Sequence, residues 1–100
     1  WKPKPIEETW TSNFCYPIIH PKRNEIVENL KANEIECRPL ICGSMHTQPM
    51  YKDRCPEDTY DYPNSKIVNE YGLYIPNNPS LTKEQLQFMC DIINSVTQKG

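Results

Sequence analysis

The side chains able to do chemistry gather in one stretch, Ile35-Glu36-Cys37-Arg38-Pro39-Leu40-Ile41-Cys42-Gly43-Ser44-Met45-His46-Thr47-Gln48-Pro49-Met50-Tyr51, a short apolar run that opens into a polar loop. Loops held at the edge of a rigid scaffold are where ligand-contacting groups concentrate. Arg38 lies between apolar neighbours just before a proline, and its planar fork of donors suits a phosphate or a carboxylate. That anion could come from a ligand or from a neighbouring domain. His46 can donate to a ligand hydroxyl or move a proton near neutral pH. Its plainer alternative is an exposed loop histidine packed on Tyr51. Together Arg38, Ser44, Met45, His46 and Gln48 form the expected ligand-contacting set. Their role is binding rather than bond-making, and no residue is assigned to catalysis.

Other constellations are weaker. Cys37, Cys42, His46 and Cys55 lack the short paired spacings of structural zinc sites, so no metal is expected. Cys42 with His46 has no acid in view to orient the base of a nucleophile pair. Tyr60, Asp61 and Tyr62 read as solvated turn residues.

The elements that must position this loop follow from pattern. Residues 12–19 carry Phe14, Tyr16, Ile18 and Ile19, a β composition that Pro17 confines to a sheet edge. His20-Pro21-Lys22 opens a helix, with Pro21 near its first position. Its apolar stripe is Ile26, Val27 and Leu30, and Asn33 ends it. Residues 35–41 are predicted as a second strand. Residues 47–63 carry Pro49, Pro56 and Pro63 and read as a long surface loop. Asn64 is expected to cap a helix running to Tyr71, with Gly72 at C′ and Leu73-Tyr74-Ile75 as a third strand stopped by Pro76. Thr82-Lys83-Glu84-Gln85 is a capping box, in which the Thr82 hydroxyl takes the Gln85 N–H and the Gln85 side chain returns to the Thr82 N–H. Leu86, Met89, Cys90, Ile93 and Val96 then form a core-facing stripe, so Ile93→Ala is expected to cost ~2–4 kcal/mol. The fold class is α/β (α+β), a short sheet of about three strands packed with helices.

Three motifs carry a family resemblance. The run Ile35-Glu36-Cys37-Arg38-Pro39 with Gln48-Pro49-Met50-Tyr51 is similar to the last third of the DegT/StrS-type sugar aminotransferases. Upstream, Asn13-Phe14-Cys15-Tyr16-Pro17-Ile18-Ile19 and Arg23 to Leu30 resemble the preceding strand and helix. Downstream, Asn64-Ser65-Lys66-Ile67, Gly72-Leu73-Tyr74-Ile75-Pro76 and Leu81-Thr82-Lys83-Glu84-Gln85-Leu86 resemble the ending "N-A-x…G-L-x-L-P…L-T-x-E-Q". The similarity covers about residues 12 to 97.

The resemblance implies a small C-terminal domain of a fold-type I enzyme that uses pyridoxal 5'-phosphate (PLP) on nucleotide-linked 4-keto sugars. Such enzymes serve deoxyaminosugar and lipopolysaccharide sugar synthesis. In the family, the PLP-binding residues and the Schiff-base lysine lie in a large N-terminal domain that these residues do not match. Residues 1–11 are then a Pro-rich extended lead-in and residues 12–100 the small domain. Starting at Trp1 without an initiator Met, the chain is expected to be a piece of a longer protein and inactive alone, with no cofactor of its own. The implied partners are the nucleotide sugar, an amino donor such as glutamate, the missing large domain and a second subunit. Gly43-Ser44 within an E-C-R-P-x-x-x-G run resembles instead the 3-dehydratase branch, which makes 3-deoxysugars such as colitose and has His in place of the lysine. Gln48-Pro49-Met50-Tyr51 and Pro76-Asn77-Asn78-Pro79 lean towards the aminotransferases. A stand-alone, non-catalytic α/β binding module is the alternative of another class. An exposed apolar face where a large domain should sit would favour the enzyme readings.

Composition bounds these readings. One hundred residues fit one domain with a modest core. An apolar content of 37% and a mean hydropathy of −0.75 imply that this core is thin, as in a domain that leans on a larger one. Eleven basic and thirteen acidic residues give a net charge of −2 and are well mixed, leaving no basic stripe for nucleic acid and no polybasic patch for membranes. No apolar run approaches the ~18 residues of a membrane span. Five cysteines cannot all pair, so free thiols in a reducing cytoplasm are expected.

Overall fold

The computed structural model describes residues 1–41 and 44–98. Among them are three strands, β1 (Cys15–Ile19), β2 (Arg38–Pro39) and β3 (Gly72–Pro76). Four α-helices accompany them, α1 (Arg23–Ala32), α2 (Pro49–Arg54), α3 (Pro63–Tyr71) and α4 (Lys83–Thr97), with a 3-10 turn over Met45–Thr47. The sheet is antiparallel in the order β1-β3-β2. This is the small α/β domain expected, with the last strand in the chain placed at the centre.

Register explains which side chains meet. Tyr16 pairs with Ile75 and Ile18 with Leu73, whereas Pro17 pairs with Tyr74 and Arg38 also lies opposite Tyr74. Because strand side chains alternate, Leu73 and Ile75 share one face and Tyr74 projects from the other. The first face carries the core. Ile26 and Leu30 of α1, Leu73 and Ile75 of β3, and Met89 and Val96 of α4 are buried together. Pro17, with no N–H to donate, sits on the edge strand as its chemistry requires.

The ends of the elements follow local rules. Asn33 closes α1, and its side chain donates to Asn29 O at 2.8 Å. Glu34 then turns left-handed at φ 60° while Ile35 N donates to Leu30 O and Glu34 N to Lys31 O, the pair of bonds of a Schellman motif. Ile35 is thereby folded back onto the core. The capping box of α4 is formed as read, with Gln85 N donating to Thr82 Oγ1 at 3.1 Å and Thr82 N to Gln85 Oε1 at 2.9 Å.

Several expectations are corrected. The second strand is only Arg38–Pro39, since Pro39 removes a ladder donor and Ile41 leaves the β region at φ 48°. The long loop contains α2, and both α2 and α3 begin on proline, Pro49 and Pro63, where a missing N–H costs nothing. Tyr62, not Asn64, therefore stands at the N-cap of α3. Pro21 precedes α1, which starts at Arg23. Gly72 is extended, with φ −88° and ψ 141°, so it is not a left-handed C′ residue. It is needed for close approach instead: a Cβ there would lie 2.4 Å from Val68 O. In α4, Met89 and Val96 are buried but Leu86 and Cys90 are exposed, because nothing packs over that side of the helix among the described residues.

Candidate functional site

The expected contact residues fall into one loop and one strand. The loop begins where Ile41, a β-branched residue at positive φ, breaks the strand direction. Ser44 is fully buried, and the Thr47 hydroxyl donates to Ser44 O at 2.9 Å, closing the 3-10 turn that carries Met45 and His46. Gln48 N donates to Met45 O, and Pro49 starts α2 directly afterwards. Gln48 is half-buried, while Met45 is exposed. Cys42 and Gly43 lie outside the described residues, and with them the pairing of Cys42 with His46.

His46 is held on two sides. Its Nδ1 is 2.6 Å from Ser44 Oγ, a contact in which either atom can donate. Its ring lies on Tyr62, with centroids 4.8 Å apart and planes tilted by 41°. The packing partner is thus Tyr62 and not Tyr51. Tyr62 is itself tied down: its hydroxyl donates to Asp58 Oδ2 at 2.6 Å, and Tyr60 stands edge-on to its ring at 4.7 Å. Tyr51 donates to the same oxygen at 2.6 Å, while Tyr60 N donates to Asp58 Oδ1 at 3.1 Å. Two phenols and a backbone N–H converge on one carboxylate.

The electrostatic consequences run in opposite directions for the partners. The hydrogen bonds from Tyr51 and Tyr62 stabilise the Asp58 anion and hold its carboxyl below its ordinary value. Those same bonds favour the neutral phenols, so Tyr51 and Tyr62 are both pushed up, Asp58 being the leading cause in each. The sequence reading of Tyr62 as a solvated turn residue is corrected. Tyr62 adopts φ 46° and ψ 62° immediately before a proline, a conformation such a residue rarely takes without tertiary support. The signal for this cluster was the tyrosine density around Asp58.

Arg38 stands apart from the loop cluster. Its Nε and Nη2 donate to Glu36 Oε1 at 3.2 and 2.9 Å, and both side chains are exposed. An exposed pair of this kind is screened by water and readily exchanged for another anion. It lies on the Tyr74 face of the sheet, where Phe14 packs edge-on to Tyr74 at 6.0 Å.

A groove of about 890 Å³ runs between β1 and α4, walled by Tyr16, Ile18, Leu86, Met89 and Ile93, with Trp1 at its side. Trp1 and Ile19 exchange backbone hydrogen bonds along the outer edge of β1. Four cysteines are free among the described residues, and no described group of three or more His, Cys, Asp or Glu is gathered to hold a metal. No described helix is long and apolar enough to cross a membrane.

The fold and loop define a small α/β domain that presents a polar, aromatic site. Residues 2–94 match the DegT/DnrJ/EryC1/StrS aminotransferase family, and the chain belongs to that family. It is also similar to the GDP-perosamine synthase of Escherichia coli O157:H7, at 32% identity over 73 residues, covering 73% of this chain. The matched part spans 19% of that relative's length. Aminotransferases of this family generally use PLP, which takes a lysine amine and a phosphate cradle. The described residues do not fit that group: Lys2 and Lys4, the lysines bordering the groove, are exposed, and the rest of its lining is mostly apolar, with His20, Asn77, Asn94 and Thr97 among its polar side chains and no arginine or glycine to cradle a phosphate.

Proposed function

We propose that this chain is the small C-terminal domain of a PLP-dependent aminotransferase acting on nucleotide-linked 4-keto sugars, residues 1–11 leading in from a large domain that holds the cofactor. Family membership across residues 2–94 carries the reading. The relative named for making GDP-perosamine supports a nucleotide-linked sugar as substrate and favours amination over the 3-dehydratase alternative. The open apolar groove between β1 and α4 supports a domain that docks on the rest of a longer protein and not a self-contained module. In the assembled enzyme Met45, His46 and Gln48 contact the sugar, the buried Ser44 acts from behind by holding His46, and Arg38 exchanges Glu36 for an oxyanion of the substrate.

In this reading the domain supplies binding and orientation. Ser44 and Tyr62 hold His46, and Gln48 adds an amide that can both donate and accept. The test is kinetic, on the longer protein with glutamate as amino donor. His46→Ala and Gln48→Ala should each raise KM for the nucleotide sugar about tenfold while leaving KM for glutamate within about twofold. Unchanged sugar KM in both variants would overturn the assignment.

A further inference from the structure

We infer that Asp58 is a positioning residue for the site: it anchors Tyr62, and through Tyr62 it sets the His46 imidazole with Nε2 turned toward an oxygen of the bound sugar nucleotide. This rests on the aminotransferase reading above and names a residue ten positions or more away from the loop's polar set in sequence. Asp58 makes no hydrogen bond to His46; it acts through the ring between them.

The geometry gives the argument in three steps. Nδ1 is committed to Ser44 Oγ, and Ser44 is fully buried, so that edge of the ring faces inward. Nε2 sits on the opposite side of the imidazole, and His46 as a whole is only half-buried, so that edge faces the open side of the loop. What stops the ring from turning about its own bonds is the Tyr62 face at 4.8 Å. Tyr62 in turn occupies a left-handed backbone position before Pro63, which leaves its own orientation to be fixed from outside. Asp58 does this with a 2.6 Å bond from the Tyr62 hydroxyl. The Asp58 carboxylate is itself oriented by Tyr51 from α2 and by Tyr60 N, so the chain of support starts on a helix. A binding side chain held this way loses little freedom when a ligand arrives.

The experiment uses the longer, cofactor-loaded protein and the variants Asp58→Ala, Tyr62→Phe and their combination. Tyr62→Phe keeps the ring under His46 and removes only the hydroxyl that reaches Asp58. Each single variant should raise KM for the nucleotide sugar about five- to tenfold with kcat within about twofold, the worth of losing the order behind one hydrogen bond. The double variant should be no worse than either single one, because both changes cut the same link. Thr82→Ala, which weakens the distant N-cap of α4, should lower thermal stability without moving KM. Crystal structures of the same variants give a readout that needs no turnover: in Asp58→Ala the His46 ring should leave Tyr62, the separation growing beyond 4.8 Å. Additive KM effects, a loss confined to kcat, or a His46 ring still seated on Tyr62 in Asp58→Ala would each overturn the inference. Absence of turnover in the unsubstituted protein would refute the aminotransferase reading instead, and the ring positions alone would then decide this one.

Discussion

Gly72→Ala probes the junction on which the sheet depends. Gly72 ends α3 and begins β3, the central strand, and its backbone angles are ones any residue adopts. An alanine is excluded there by contact alone. Its Cβ would lie 2.4 Å from Val68 O and 3.0 Å from Leu40 Cβ, against an ordinary contact of 3.4 Å, so about 1.0 Å must be opened at the carbonyl. The carbonyl cannot simply retreat, because it accepts the Gly72 N–H that closes α3. Overpacking costs about 1–3 kcal/mol and the strained hydrogen bond about 1 more, giving about 2–4 kcal/mol. For a chain of this size that is a fall in Tm of at least about 10 °C. Urea unfolding followed by circular dichroism should show the midpoint fall with the slope unchanged. Leu40→Ala removes the Cδ2 contact at 3.3 Å but keeps the Cβ and leaves the Val68 carbonyl in place, so in that background Gly72→Ala should still be strongly destabilising. If Leu40→Ala abolished the penalty, the reasoning from the Val68 carbonyl would be wrong.

Three further outcomes follow from the structure. Thr82→Ala should cost about 1 kcal/mol by breaking both bonds of the capping box, measured as a shift in the urea midpoint. The Asp58 carboxyl is held below its ordinary 3.8, so its contribution to stability is present above that value and is lost as pH falls through the folded one. An acid titration of Tm should therefore be flatter in Asp58→Asn than in the unsubstituted chain. Tyr51 and Tyr62 are raised above the ordinary 10.0, so their contribution is complete below that pH and is lost as pH rises through the folded values. Absorbance of phenolate should show two of the six tyrosines ionising late, and Asp58→Asn should release them.

What could be read in the chain was what is local. The capping box needs only Thr82 and Gln85, three residues apart, and it formed as read. The buried stripe of α1, Ile26 and Leu30, likewise follows one helical period. The α4 stripe was half legible: Met89 and Val96 enter the core, but Leu86 has the same period and lies on the groove, since periodicity does not say what covers a face. Proline misled twice, at Pro49 and Pro63, because a helix start and a loop use the same residue. At the site, Ser44, His46 and Gln48 were legible as a polar run. The clamp behind them was not, since Asp58, Tyr62 and His46 meet only through the left-handed turn at Tyr62.

The most direct measurement is transfer of nitrogen. The longer protein, loaded with PLP, is incubated with nitrogen-15 glutamate and a GDP-linked 4-keto sugar, and the sugar nucleotide is followed by mass spectrometry. The account predicts a product in which the keto oxygen is replaced by a labelled amine, with 2-oxoglutarate formed in equal amount. A sugar that loses oxygen at the neighbouring carbon without gaining the label would contradict it and point to the dehydratase chemistry.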